Sequence, residues 1–143
     1  MAKVVVVYES RTGNTRQLGE ALAASLSAAG HEVTLKKGRE ATAEDLSAAD
    51  AVAMGGATYH HDLIPSMKEF LFKVESAELN GKPGLAFGSY GWSGQAIDII
   101  NDTLKNLFKM NTMDPLCAIK AGDDQDSLDK AKACGEQFAK MIG

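Results

Sequence analysis

The stretch Val4-Val5-Val6-Val7-Tyr8-Glu9-Ser10-Arg11-Thr12-Gly13-Asn14-Thr15 decides the fold. Val4 to Tyr8 is a β-branched apolar run with no polar alternation, the pattern of a central parallel strand covered on both faces. Polar residues follow at once. From Thr15 to Ala29, Leu18, Leu22, Leu26 and Ala29 recur at spacings of three and four, which makes one helical face apolar, and Gly30 is placed to end the helix. A buried strand entering a helix through a short polar loop is the first half of a βαβ unit.

Outward from this unit the same rhythm repeats. Strands are expected at His31–Lys36, Ala51–Met54, Leu85–Phe87 and Leu116–Ile119. Between them, Ala43–Leu46 makes a short helical turn. Pro65 suits a first helical turn and is followed by the inward residues Met67, Phe70, Leu71 and Val74. Gln95–Phe108 forms a helix with Ile97, Ile100, Leu104, Leu107 and Phe108 facing inward. Ser127–Met141 closes the chain over Leu128, Ala131, Phe138 and Met141. Five strands with intervening helices predict an α/β doubly wound parallel sheet with helices on both faces, because right-handed crossovers put them there. A closed eight-stranded barrel needs far more chain than 143 residues. With 45% apolar and 24% charged residues and no linker, the expectation is a single domain over residues 1–143.

Composition removes several functions. The 15 Lys and Arg against 19 Asp and Glu give a net charge of -4, with no cationic excess for a nucleic-acid backbone. After Lys3 the apolar run is too short for a signal peptide or a bilayer span, so a cytoplasmic protein without membrane contact is expected. Cys117 and Cys134 form no C-x-x-C pair and are expected as two reduced, structural thiols, which leaves zinc ribbons, dithiol redox motifs and iron–sulfur clusters without ligands. No G-x-x-x-x-G-K-[ST] loop occurs, and Gly88, Gly91 and Gly94 do not have G-x-G-x-x-G spacing, which disfavours a magnesium-dependent kinase or ATPase. A phosphoreceiver domain shares the topology but needs paired acids after strand one and an Asp ending strand three. Here Glu9 stands alone, strand three ends in Met54-Gly55, and only Lys120 is roughly placed.

Ligands of such sheets bind beyond the carboxyl ends of the strands. The segments there are Glu9–Thr15, Gly55–Asp62, Gly88–Gly94 and Ala121–Gln125. Ser10-Arg11-Thr12-Gly13-Asn14-Thr15 offers three hydroxyls and a run of N–H groups at a helix N-terminus, with Gly13 allowing close backbone approach, which suits a phosphate. An ordinary N-cap with a polar turn uses the same residue types. Ala57-Thr58-Tyr59-His60-His61 and Ser89-Tyr90-Gly91-Trp92-Ser93 gather aromatics on this edge in a chain only 6% aromatic. Either a flat ring stacks between the two loops or they form a protein contact. Asp123, Asp124 and Asp126 complement a helix dipole, and Met54 and the other methionines fill core; no metal site is expected.

Ser10-Arg11-Thr12-Gly13-Asn14-Thr15 after the first strand resembles the flavodoxin phosphate loop, Ser/Thr-x-Thr-Gly-x-Thr, and the resemblance extends over essentially the whole chain. It implies the strand order 2-1-3-4-5, non-covalent FMN and a low-potential electron carrier, short-chain because no insertion in the fifth strand is evident. By this resemblance Ser10, Thr12 and Thr15 donate hydroxyls to the FMN phosphate, alongside the amides of Arg11, Gly13 and Asn14. Arg11 either adds charge or faces solvent. Tyr59 covers one flavin face and Trp92 or Tyr90 the other. Ala57, Thr58, His60, Ser89, Gly91 and Ser93 complete the two loops. The aromatic loops, with Leu63-Ile64-Pro65-Ser66, are most similar to the flavodoxin-like domain of flavodiiron proteins. The diiron module has no room in 143 residues, so a free-standing carrier is expected.

His60 stands where flavodoxins keep a glycine whose peptide flips toward reduced flavin N5. A side chain makes positive φ costlier, which implies weaker stabilisation of the one-electron-reduced flavin. Acidic charge, with Asp62 nearest, is expected to lower the second potential, and His60 and His61, if protonated, to oppose it; alternatively the two histidines are solvated loop residues. The implied partners are a reductase and an electron acceptor, met by a monomer with no catalytic residues of its own. Two other readings use the same residues: a small FMN-dependent NAD(P)H:quinone-type reductase, and a flavin-free interaction module built on Tyr59, Tyr90 and Trp92.

Overall fold

A strand of consecutive valines has no side to offer to water, and the fold gives it none. The structure is a computed structural model that describes residues 2–9, 14–56, 58–59, 62–63, 70–73, 77–90, 95–113, 117–120 and 125–142. Strand β1 (Lys3–Glu9) lies between β2 (Glu32–Lys37) and β3 (Ala51–Gly56), parallel to both. Val4, Val6 and Tyr8 join Ala51, Ala53, Leu85 and Phe87 beneath α1 (Asn14–Ala28) and α5 (Gln125–Ile142), against Leu18, Leu22, Leu26, Ala131 and Phe138. Val5 and Val7 point the other way, into a core with Val52, Met54, Ala86, Leu46, Phe70, Ile97, Ile100 and Leu104. Each such valine contributes about 1.5–3 kcal/mol of burial. Period-two alternation within one strand therefore feeds two cores.

The sheet order is β2-β1-β3-β6, with β6 (Pro83–Tyr90) carrying the fifth strand in two pieces. β7 (Asn111–Thr112) pairs with its start, at Pro83 and Gly84, and β8 (Cys117–Lys120) with its end, from Phe87 to Tyr90. This is the doubly wound order 2-1-3-4-5. The sequence pattern shows only the second piece, because the two-residue β7 is too short to display a period. Asp114, Pro115 and Leu116, between the two pieces in sequence, lie outside the described residues.

Helix boundaries follow local chemistry. Gly30 takes φ +96° after α1, where its N–H reaches Ser27 O at 3.0 Å and the His31 N–H reaches Leu26 O at 3.3 Å. α2 (Ala43–Ala48) is longer than Ala43–Leu46, held by a capping box in which Thr42 and Asp45 each accept the other's backbone N–H. Residues 70–73 are helical and form α3, with Phe70 and Leu71 buried; Pro65 and Met67 precede the turn and Val74 follows it, outside the described residues. α4 (Gln95–Asp102) runs on into a wider π turn, Thr103–Leu107, in which the Phe108 N–H reaches Thr103 O at 3.2 Å. The extra residue rotates Leu107 off the apolar stripe: it is 55% exposed, not inward, while Leu104 and Phe108 stay buried.

Two more expectations change. Gly55–Asp62 is not all loop, because Gly55 and Gly56 end β3 and β4 (Thr58–Tyr59) pairs antiparallel with β5 (Asp62–Leu63). Cys134, on the helix packed over β8, is disulfide-bonded and not a reduced thiol. Spacing along the sequence cannot reveal a bond made by tertiary packing. Among the described residues no helix is long and apolar enough to cross a membrane.

Candidate cofactor-binding site

Parallel strands in register end together, and this sheet ends on a single row. Glu9, the last residue of β1, is the partner of Gly56, the last of β3. Gly55 pairs with Phe87, and one residue further on Gly88 lies against Gly56. A Cβ on Gly88 would stand 2.1 Å from Gly56 O, so no side chain fits between the two strands there. Ala118 of β8 continues the row beside Gly88. Glu9, Gly56 and Gly88, one from each of the three segments Glu9–Thr15, Gly55–Asp62 and Gly88–Gly94, thus share one level of the sheet.

Of the first segment, Asn14 and Thr15 open α1, so four residues separate the strand end from the helix. Ser10, Arg11, Thr12 and Gly13 lie outside the described residues. Of the second, Thr58 and Tyr59 form β4, with Tyr59 opposite Asp62, while Ala57, His60 and His61 lie outside. Of the third, Ser89 and Tyr90 end β6, opposite Ile119 and Lys120, and Gly91, Trp92 and Ser93 lie outside. The register therefore aligns Glu9 with Gly56 and Gly55 with Phe87 at the carboxyl end of the main sheet, while Thr58 and Tyr59 lie in the separate β4-β5 ladder.

Beside this row lies a junction that the sequence did not mark. Gly38, just after β2, donates its N–H to Tyr8 O at 3.0 Å. The Glu9 carboxylate accepts the Arg39 N–H at 3.0 Å. Lys73 Nζ donates to Gly38 O at 2.9 Å and sits 5.7 Å above the Phe70 ring. Gly38 is where β1, the turn after β2 and α3 converge. A signal was present in the lone acid Glu9 at the end of an apolar strand, but its partner is thirty residues away.

This is a doubly wound parallel sheet with a helix N-terminus one short segment after its central strand, and sheets of this class take their ligands at the carboxyl ends of the strands. Residues 6–136 match the flavodoxin family model, and the chain belongs to the flavodoxin family. It is similar to an archaeal flavodoxin of known structure, with TM-score 0.92 and 30% identity over 98% of both chains. It is 32% identical over 144 residues to the type A flavoprotein fprA of Rhodobacter capsulatus, covering 97% of this chain and 33% of that protein. It is 41% identical over 99 residues to the flavodoxin of Aquifex aeolicus, covering 66% of this chain and 54% of that one. The chain thus spans a third to about half of these curated relatives, and flavodiiron proteins are among the further ones.

Flavodoxins bind FMN and transfer electrons. The edge fits that group. The α1 N-terminus follows the central strand β1 by one short segment, and a helix N-terminus offers backbone amides of the kind a phosphate accepts from.

Proposed function

We propose that the chain is a low-potential FMN electron carrier, taking electrons from a reductase protein and passing them to an acceptor protein. The observation that supports this most is the common row of Glu9, Gly56 and Gly88 at the carboxyl end of the sheet, one residue from each of the three segments. Ser10, Thr12 and Thr15 donate hydroxyls to the phosphate, and the amides of Arg11 to Thr15 complete the cradle. Tyr59 and either Trp92 or Tyr90 hold the ring between them and limit its contact with water. Ala57, Thr58, His60, Ser89, Gly91 and Ser93 line it through backbone and short side chains. FMN, when bound, supplies the electron chemistry, and the protein sets its potentials by burial, charge and hydrogen bonding. A net charge of -4 disfavours added negative charge on the ring and steers partners with positive surfaces. The carrier works as a monomer in the cytoplasm.

The test is an anaerobic challenge of the FMN-loaded protein with NADH and with NADPH, first alone and then with a catalytic amount of an NADPH-dependent flavoprotein reductase. Flavin bleaching only in the presence of the reductase is the expected result. Rapid bleaching by either nucleotide alone would make the protein a reductase in its own right.

A further inference from the structure

A carboxylate placed one residue before a phosphate-binding loop works against its own site, since like charges repel across a few ångströms. Glu9 occupies that position, and the structure shows what it does there. Its carboxylate accepts the Arg39 N–H at 3.0 Å and packs on Gly38, whose missing side chain makes the contact possible. A Cβ on Gly38 would stand 2.8 Å from Glu9 Oε1, 2.9 Å from Glu9 Cγ and 3.1 Å from Phe70 Cβ. The other side of Gly38 is held as well, by the Lys73 ammonium on its carbonyl at 2.9 Å and by the bond from its N–H to Tyr8 O. The last residue of β1 is thus fixed to the turn after β2, and that turn to α3.

We propose that Glu9 is a positioning residue: its bond to the Arg39 amide, closed over Gly38, presets the start of the phosphate loop before the ligand arrives. The inference rests on the phosphate-loop reading of residues 10–15 and assigns a role to a residue outside that loop. A loop whose preceding residue is already fixed loses less freedom on binding, so the bond acts on affinity for the phosphate end of the ligand. A charge-assisted bond to a backbone N–H is among the stronger single contacts available for this purpose.

The experiment is a pair of fluorescence titrations, FMN and riboflavin, on wild type, Glu9→Ala, Glu9→Gln and Gly38→Ala. Riboflavin has the ring without the phosphate, so the ratio of the two affinities isolates the loop. Wild type is expected to bind FMN far more tightly than riboflavin. Glu9→Ala weakens FMN on the order of tenfold, the range seen when a supporting hydrogen bond is removed from a binding group, and leaves riboflavin unchanged. Glu9→Gln keeps the acceptor oxygen and removes the repelling charge, so it binds FMN at least as well as wild type. Gly38→Ala displaces the carboxylate and follows Glu9→Ala.

If Glu9→Ala does not fold, the Glu9→Gln and Gly38→Ala ratios still decide. The proposal is overturned if the alanine variants keep the wild-type ratio, whether both affinities hold or fall together, or if Glu9→Gln loses as much as Glu9→Ala. A wild type with no preference for FMN over riboflavin would remove the phosphate-loop reading itself, a result distinct from any change among the variants.

Discussion

Asp45 shows one carboxylate serving two partners. Its Oδ2 accepts from Lys36 Nζ at 3.1 Å and from the Thr42 N–H at 3.0 Å. The Lys36 ammonium and then the Thr42 amide hold its carboxyl below the usual carboxylate range. A lowered folded-state pKa gives stability that is fully present above the unfolded value, about 3.9, and is lost as pH falls through the folded value. Asp45→Asn is therefore less stable than wild type at neutral pH, and denaturant melts of the two proteins converge once the pH drops below that range. Thr42→Ala removes the other half of the box and costs about 0.5–2 kcal/mol in the same assay. The expected turn Ala43–Leu46 ends two residues before the helix does because the apolar pattern stops at Leu46, and the cap formed by Thr42 and Asp45 was not read from the sequence. Gly38 was not legible at all. Nothing in its neighbours along the chain tells that Glu9 and Phe70 press on it.

At the level of elements, the long periodic segments were readable and the short or irregular ones were not. β1, β3, α1 and α5 lie close to where the run of valines and the leucine spacing put them. The two-residue strands β4, β5 and β7 have no period to read, and the π turn breaks the period of α4. That turn has a measurable consequence. Leu104 is fully buried and Leu107 is 55% exposed. Leu104→Ala should cost about 2–5 kcal/mol in chemical denaturation, whereas Leu107→Ala should stay within about 0.5 kcal/mol of wild type. Equal losses would restore an unbroken α-helix. Gly55 makes a second case, since a Cβ there would lie 2.3 Å from the Phe87 ring. Gly55→Ala is expected to destabilise by about 1–3 kcal/mol through forced repacking of that ring, read as a lower denaturation midpoint.

For the whole molecule, order and register matter more than any single contact. The parallel register of β1, β3 and β6 brings three segments that are far apart in sequence to one edge. The sequence could name those segments because it carries a hydroxyl-rich loop after a buried strand and two aromatic clusters. It could not supply the row of Glu9, Gly56 and Gly88, which exists only once the strands are aligned. A ligand held at that edge by the native state alone stabilises the fold by mass action, about 2.7 kcal/mol at a hundredfold excess over its dissociation constant. Thermal melts should therefore rise with FMN concentration and much less with riboflavin. The central claim is that this edge is an FMN site, and the most direct measurement is a titration of flavin fluorescence with the purified, flavin-stripped protein. Saturable quenching at one FMN per chain is the predicted result. Free-flavin fluorescence that persists at protein concentrations well above that of FMN would contradict it.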